Sequence, residues 1–403
     1  MINLKTIYGL PSYIESTDKF LNLDLLFSVD NRELSDQNIF IAIVGEKYNP
    51  LVHLESVFKS GCRFVVYEKN KENDEFIRPF LKKLVFIACS NVENFIQEAG
   101  QAVANSFKAR QGKIIAISGS NGKTTTKEML THILKNKLGE DCVVATLKNN
   151  NNHLGVPFTL FQISKDTSIA IVELGSNHPG EIEHLCKMIR PQYGVTTNIG
   201  DTHLEFFDNR ENVFIEESIL SEYVSISFYK NTDDEYLNKI LESEIIKTYG
   251  LSGKDFRLEF TPHCSINDEE INNTTIVGDH NFTNLLLALA IASDALGTSI
   301  SSLVKFANSF RPTNNRSEWI KNGDQKIFLD AYNANPSSMV KSLEGFLSYI
   351  NSIDAKLEDV SLVLGDMNEL GSNEAKFHQD FGNTLNQQKI GSVNFVGRFA
   401  LDY

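Results

Sequence analysis

An apolar strand, a glycine-flanked turn and an amphipathic helix follow one another over residues 113–139, and no other stretch limits the fold as strongly. "KIIAISG" (113–119) reads as a buried strand. "TTTKEMLTHILKNKLG" (124–139) puts Met129, Leu130, Ile133, Leu134 and Leu138 on one helical face, with Gly139 as the stop. Between them lies Gly119-Ser120-Asn121-Gly122-Lys123-Thr124. Small residues there let backbone N–H groups approach an anion, and the helix N-terminus that follows favours one. The common phosphate loop is G-x-x-x-x-G-K-[ST]. Here the position of its first glycine is Ile117, and the glycine comes two residues later, at Gly119.

The alternation of strand and helix runs on. "SIAIVELG" (168–175) and "YGVTTNIG" (193–200) read as buried strands, and "HNFTNLLLALAIASDALG" (280–297) as a long apolar helix. From Arg311-Pro312 a further unit begins: strand and loop "KIFLDAYNANP" (326–336), helix "SSMVKSLEGFLSYI" (337–350), strand and loop "VSLVLGDMNELG" (360–371). Before residue 105, "NIFIAIVG" (38–45) and "CRFVVYE" (62–68) read as strands around a short helix, "LESVFKSG", stopped by Gly61. The lysine-rich "EKNKENDE" (68–75) reads as a solvated loop. This pattern predicts an α/β protein with parallel sheets covered by helices. A length of 403 residues leaves room for two to four domains.

A net charge of −14 argues against a general nucleic-acid binder, which needs broad phosphate neutralisation, but permits a local cationic pocket. The five cysteines (Cys62, Cys89, Cys142, Cys186, Cys264) have no C-x-x-C spacing and suit a reducing compartment. The N-terminus has no signal-peptide pattern, and no run approaches the roughly 20 apolar residues of a membrane span. The expectation is a cytoplasmic protein without membrane insertion.

Ligands of open α/β sheets bind beyond the carboxyl ends of the strands. Polar groups gather at those ends: the loop 119–124, Glu173, the run Asp201-Thr202-His203-Leu204-Glu205, and Asp330-Ala331-Tyr332-Asn333-Ala334-Asn335. Lys123 would reach terminal phosphates and the Thr124 hydroxyl a Mg²⁺ ion. Glu173 suits a second Mg²⁺ contact, because Mg²⁺ takes few protein oxygens beside phosphates and water. Each has a plainer alternative: a turn with a chance lysine, a glutamate capping a strand end, a structural histidine at His203. His203 gains a metal role only in the company of Glu173 and the loop. The asparagine run in "LKNNNNHLGVPFTL" (147–160) supplies amide donors and acceptors in a loop.

Taken in order, "GSNGKTTTKE", "LKNNNNHLGVPFTL", "ELGSNHPGEI", "TNIGDTHLE", "GDHNFTN", "NNRSE", "DAYNANPSSM" and "LGDMNELG" resemble the Mur ligases, in particular the branch that adds D-alanyl-D-alanine to UDP-N-acetylmuramoyl-tripeptide. In that family the shorter loop is normal. The resemblance implies three domains: residues 1–104 for the UDP end of the substrate, 105–310 as a central P-loop ATPase domain with a parallel sheet, and 311–403 as a Rossmann-like domain. It implies ATP, Mg²⁺ and an acyl phosphate, in a monomer. Carried over by motif, Gly119, Ser120, Asn121, Gly122, Lys123, Thr124 and Thr125 hold phosphates. Thr124, Glu173 and His203 serve the metal. Asn281 contacts adenine, Arg316 a phosphate and Asp330 the ribose. Asn150, Asn151, Asn152 and His153 lie near the peptidyl substrate, Asn333 and Asn335 bind substrate, and Ser28, Asp30 and Arg32 lie on the UDP-sugar side.

Three departures qualify this. Family members carry a lysine about a dozen residues after "HLE" whose carbamate helps hold a second Mg²⁺. By count that position is Glu217, which either supplies a built-in carboxylate or marks the loss of that metal. Family members also continue past "VNFVGRF", so the last domain is expected to be incomplete, with an exposed sheet edge. "GEKYNPLVHL" lacks the usual glycine and aspartate after its tyrosine. Two other functions therefore stay open: a weakly active or non-catalytic nucleotide- or UDP-sugar-binding relative, and a folate- or polyamino-acid-type ligase.

Overall fold

The computed structural model describes residues 2–17, 24–45, 47–260 and 264–403. The chain divides into two compact units. The first comprises Met1–Ile115, Glu140–Leu174 and His184–Gln192; the second comprises Ala116–Gly139, Gly175–Glu183 and Tyr193–Tyr403.

In the first unit, the parallel strands Asp24–Ser28, Asn38–Ile41, Phe64–Glu68 and Val85–Cys89 stand side by side. Two short strands pair antiparallel at the edges, Ile2–Asn3 and Tyr13–Ser16. Phe40, Val65, Leu54, Val57 and Phe86 form one core of this sheet. Helix Val92–Ala109 buries Phe95, Ile96, Ala99, Val103 and Phe107, a 3–4 residue spacing that makes one apolar stripe. Asn91 caps it by accepting from the Asn94 amide.

Residues 68–75 are not the loop expected from their charges. A helix spans Lys71–Ile77, capped by Asn70, which accepts from the Asn73 amide. Ile77 is buried, and the Asn73 side chain donates to the Glu68 carbonyl at 2.8 Å. One cap and two inward residues suffice here; the charges occupy the other face.

In the second unit, Tyr193–Thr196, Ser227–Asn231, Ile246–Gly250 and Phe256–Glu259 pair in parallel. The C-terminal half of strand Lys113–Ser118 lies next to Tyr193–Thr196. Helix Asp279–Leu296 buries Leu285, Leu286, Leu287, Leu289 and Ile291, so it is apolar all round and interior. Each such side chain contributes about 1.5–3 kcal/mol by leaving water. Further along, strands Ser361–Leu364 and Ser392–Phe395 pair in parallel on either side of helix Glu374–Asn386. Gln325–Leu329 belongs to an antiparallel hairpin with Glu318–Asn322, a partner the sequence reading had not identified. Trp319 packs on Phe328 and Tyr349, joining the hairpin to helix Pro336–Ser352.

Candidate active site

The turn after Lys113–Ser118 has the shape of a phosphate cradle. Gly119 has φ 120°, and a Cβ there would fall 2.3 Å from Thr197 Oγ1. Gly122 has φ 80°, and a Cβ there would fall 2.8 Å from Asn284 Oδ1. Both backbone sign and lack of room require glycine. The turn is braced by the next strand end: Ser120 N–H donates to the Asn198 carbonyl at 2.9 Å and Asn121 N–H to Asn198 Oδ1 at 3.2 Å. Helix Lys123–Leu138 starts at this point, so its N-terminal dipole favours an anion. Lys123 Nζ lies over the Gly119 and Ser120 carbonyl oxygens.

Glu217 comes up beneath the turn from helix Arg210–Ser218. Its Oε2 accepts from the Gly119 amide at 2.7 Å, and its backbone carbonyl accepts from Ser118 Oγ and Thr196 Oγ1, both at 3.0 Å. Burial raises its pKa above the usual carboxylate range; the Lys123 charge and the Gly119 N–H oppose that shift, and Glu216 adds to it. Glu216 turns the other way and accepts from Ser176 Oγ, Gly180 N–H and Ile182 N–H at 2.9, 2.6 and 2.8 Å. The two adjacent glutamates thus brace two different loops.

His203 sits at the next strand end with φ 51° and Nδ1 2.6 Å from Glu369 Oε2. Burial lowers its pKa, the nearby Glu369 raises it, and Lys123 lowers it further.

The C-terminal segment of this unit reaches the same turn. Asn335 Nδ2 donates to Asn121 Oδ1 at 2.6 Å, and Asn121 Nδ2 donates to Ser337 Oγ at 3.0 Å. Asn335 also caps helix Pro336–Ser352 through a capping box with Ser338. Asn335 thus caps the helix and ties it to the cradle, whereas Asn333 is exposed and accepts from the Ala334 amide. Arg316 donates from Nη2 to Thr124 Oγ1 at 3.2 Å, and its guanidinium carbon lies 3.7 Å from the Tyr332 ring centroid. Its Nε is buried with no acceptor among the described residues. Asp330 accepts from Ser317 N–H at 3.0 Å and Ser342 Oγ at 2.6 Å. Asn281 donates both amide hydrogens, to the Val277 carbonyl and to Ser317 Oγ, which leaves its carbonyl oxygen to offer a ligand. It lines a cleft with Thr125, Met129, Ile276, Phe310 and Ser317.

In the first unit, Asn151 Nδ2 donates to Glu173 Oε1 at 3.1 Å. Asn152 Oδ1 accepts from the Leu154 and Gly155 amides, starting helix Gly155–Phe161. Asn150, Asn152 and His153 are exposed. Asp30 and Arg32 form a two-point pair, at 2.8 and 2.6 Å, and Ser28 Oγ accepts from the Asp30 amide at 3.3 Å. The Arg32 side chain is exposed.

The structure therefore gathers Gly119–Thr125, Glu217, Arg316 and Asn335 through direct bonds, links Asn281 and Asp330 through Ser317, and pairs Asn151 with Glu173. Sequence reasoning did not single out Asn198, Thr197, Ser337 and Glu369, although each lies inside a quoted motif, because their partners are set by tertiary position.

Comparison with known proteins gives the family. Residues 117–292 match the Mur ligase middle domain, and residues 315–400 the Mur ligase glutamate ligase domain. The UDP-N-acetylmuramoyl-tripeptide–D-alanyl-D-alanine ligase of Bacillus subtilis (strain 168) is 30% identical over 391 residues, covering 93% of this chain and 80% of that protein. Among solved structures, MurF from Acinetobacter baumannii superposes with a TM-score of 0.74 at 26% identity, covering 93% of this chain and 81% of that one. MurF ligase from Thermotoga maritima in complex with ADP gives 0.72 at 22% identity, covering 92% and 84%. With two domain matches in sequence order and a relative matched along four-fifths of its length, the chain belongs to the Mur ligase family.

Proposed function

We propose that this chain joins D-alanyl-D-alanine to UDP-N-acetylmuramoyl-tripeptide at the expense of ATP, in peptidoglycan precursor synthesis. The observation that carries the reading is the glycine-shaped cradle at 119–124, with Lys123 over it and a buried, unmatched Arg316 Nε beside Thr124. A buried guanidinium N–H without an acceptor is costly alone and fits a phosphate oxygen.

A carboxylate is a poor electrophile. In the proposed reaction the tripeptide carboxylate attacks the γ-phosphorus of ATP, ADP leaves, and an acyl phosphate forms. The amine of D-alanyl-D-alanine attacks that carbonyl, loses a proton and expels inorganic phosphate. The amides of residues 119–124, Lys123 and Arg316 hold the phosphates and spread their charge. Asn281 offers its carbonyl oxygen to the adenine amino group, and Asp330 holds the ribose. Thr124, Glu173 and His203 would each serve Mg²⁺ as their motifs imply, and the ion would supply charge neutralisation when bound. Asn150, Asn151, Asn152 and His153 take the peptidyl side, Asn333 and Asn335 contact substrate, and Ser28, Asp30 and Arg32 take the UDP side. Segments 1–104, 105–310 and 311–403 divide these tasks, in a cytoplasmic monomer. The direct test is phosphate release: it should require Mg-ATP, the tripeptide and the dipeptide together. ATP turnover that ignores the dipeptide would contradict the reading.

A further inference from the structure

We propose that Glu369 is a positioning residue that acts through His203. The inference rests on the ligase reading only in taking His203 to serve the magnesium nucleotide. The Glu369 carboxylate lies 2.6 Å from His203 Nδ1. His203 Nδ1 has no hydrogen-bond partner among the described residues, so charge attraction and contact hold the ring. An exposed pair of this kind is ordinarily worth little, and Glu369 is half exposed. Two features separate it from an ordinary pair.

The first is backbone conformation. His203 has φ 51° and Glu369 φ 61°, so both face each other from left-handed positions that non-glycine residues rarely adopt. Such conformations persist where surrounding structure enforces them, and they cluster at functional sites.

The second is how firmly the loop carrying Glu369 is anchored. Tyr403 Oη donates to the Gly365 carbonyl at 2.5 Å. Asp366 accepts from the Arg398 and Phe399 amides at 2.7 and 3.0 Å. The Met367 amide donates to Nε2 of the fully buried His378, at 2.9 Å, and His378 Nδ1 is 2.7 Å from the Glu374 carbonyl. Met367 and Leu370, on either side of Glu369, are in the core. Four residues, three from the C-terminal turn and one from helix Glu374–Asn386, thus fix the loop from which the Glu369 carboxylate meets His203. The Glu369 charge beside Nδ1 holds that side of the ring and leaves Nε2 as the nitrogen available to a metal or phosphate group, as an outer-sphere partner does.

The test uses Mg²⁺ and ADP as probes, with calorimetric titration of ADP at stepped Mg²⁺ concentrations and in EDTA. Glu369→Ala should weaken the Mg²⁺ dependence by roughly 10- to 100-fold. ADP affinity in EDTA should stay at the wild-type value. In a His203→Ala background, Glu369→Ala should add no further loss. Three results would each overturn the proposal: wild-type Mg²⁺ dependence in Glu369→Ala, equal loss with and without Mg²⁺, or an added loss on top of His203→Ala. Since no ligation is measured, a wild-type protein that makes no amide product would refute the ligase reading and leave this test standing.

Discussion

The Oε2 of Glu217 accepts the Gly119 amide at 2.7 Å, placing a buried carboxyl group directly under the first residue of the phosphate cradle. Removing it in Glu217→Ala strands that N–H in the interior. The loss should be about 1–3 kcal/mol of folding stability, measured by urea denaturation. Because burial raises the folded-state pKa, the folded protein binds this proton more tightly than the unfolded chain. Its contribution to stability is therefore full below the ordinary glutamate pKa and is lost as pH rises through the raised value. Glu217→Gln keeps an acceptor for Gly119 and should flatten that part of the stability–pH curve.

Asn335 has two tasks that substitution can separate. Serine is also a good N-cap but cannot reach Asn121 with an amide. Asn335→Ser should keep near-wild-type stability while raising the KM for ATP. Asn335→Ala should show that KM effect and also lose about 1 kcal/mol by denaturation.

Arg316 stacks on Tyr332 and donates to Thr124, so its planar shape matters as well as its charge. Arg316→Lys should raise the KM for ATP roughly 5- to 30-fold, the equivalent of about 1–2 kcal/mol for a desolvated stacked cation. Steady-state kinetics at saturating peptide substrates would show it.

Gly119→Ala forces a methyl group against Thr197 at a left-handed backbone position. Overpacking of this kind costs about 1–3 kcal/mol, and the backbone strain about 1–2 more. The expected outcome is a lowered denaturation midpoint together with weakened ADP binding.

The cradle was legible because its parts are local: strand period, small turn residues and helix face all lie within 27 residues, and the helix does begin at Lys123. The buried helix Asp279–Leu296 was legible from its unbroken apolar run. Residues 68–75 were read as a loop because charge on one face hid the capped helix Lys71–Ile77, which rests on Asn73 and Ile77. The antiparallel pairing of Gln325–Leu329 was not legible, since the strand alone does not name its partner. Glu217 was found by counting along a motif, yet its bond to Gly119 spans 98 residues and only the fold reveals it. Glu369 and His203 carry no shared pattern at all; they meet through two loops in left-handed conformations.

The central claim is that a carboxylate is activated by phosphorylation at the Lys123 cradle. Oxygen-18 placed in the terminal carboxylate of UDP-N-acetylmuramoyl-tripeptide tests it most directly, with the released phosphate analysed by mass spectrometry. Passage through an acyl phosphate predicts one labelled oxygen in each phosphate released, formed with the amide product. Unlabelled phosphate, or phosphate formed without that product, would contradict the account.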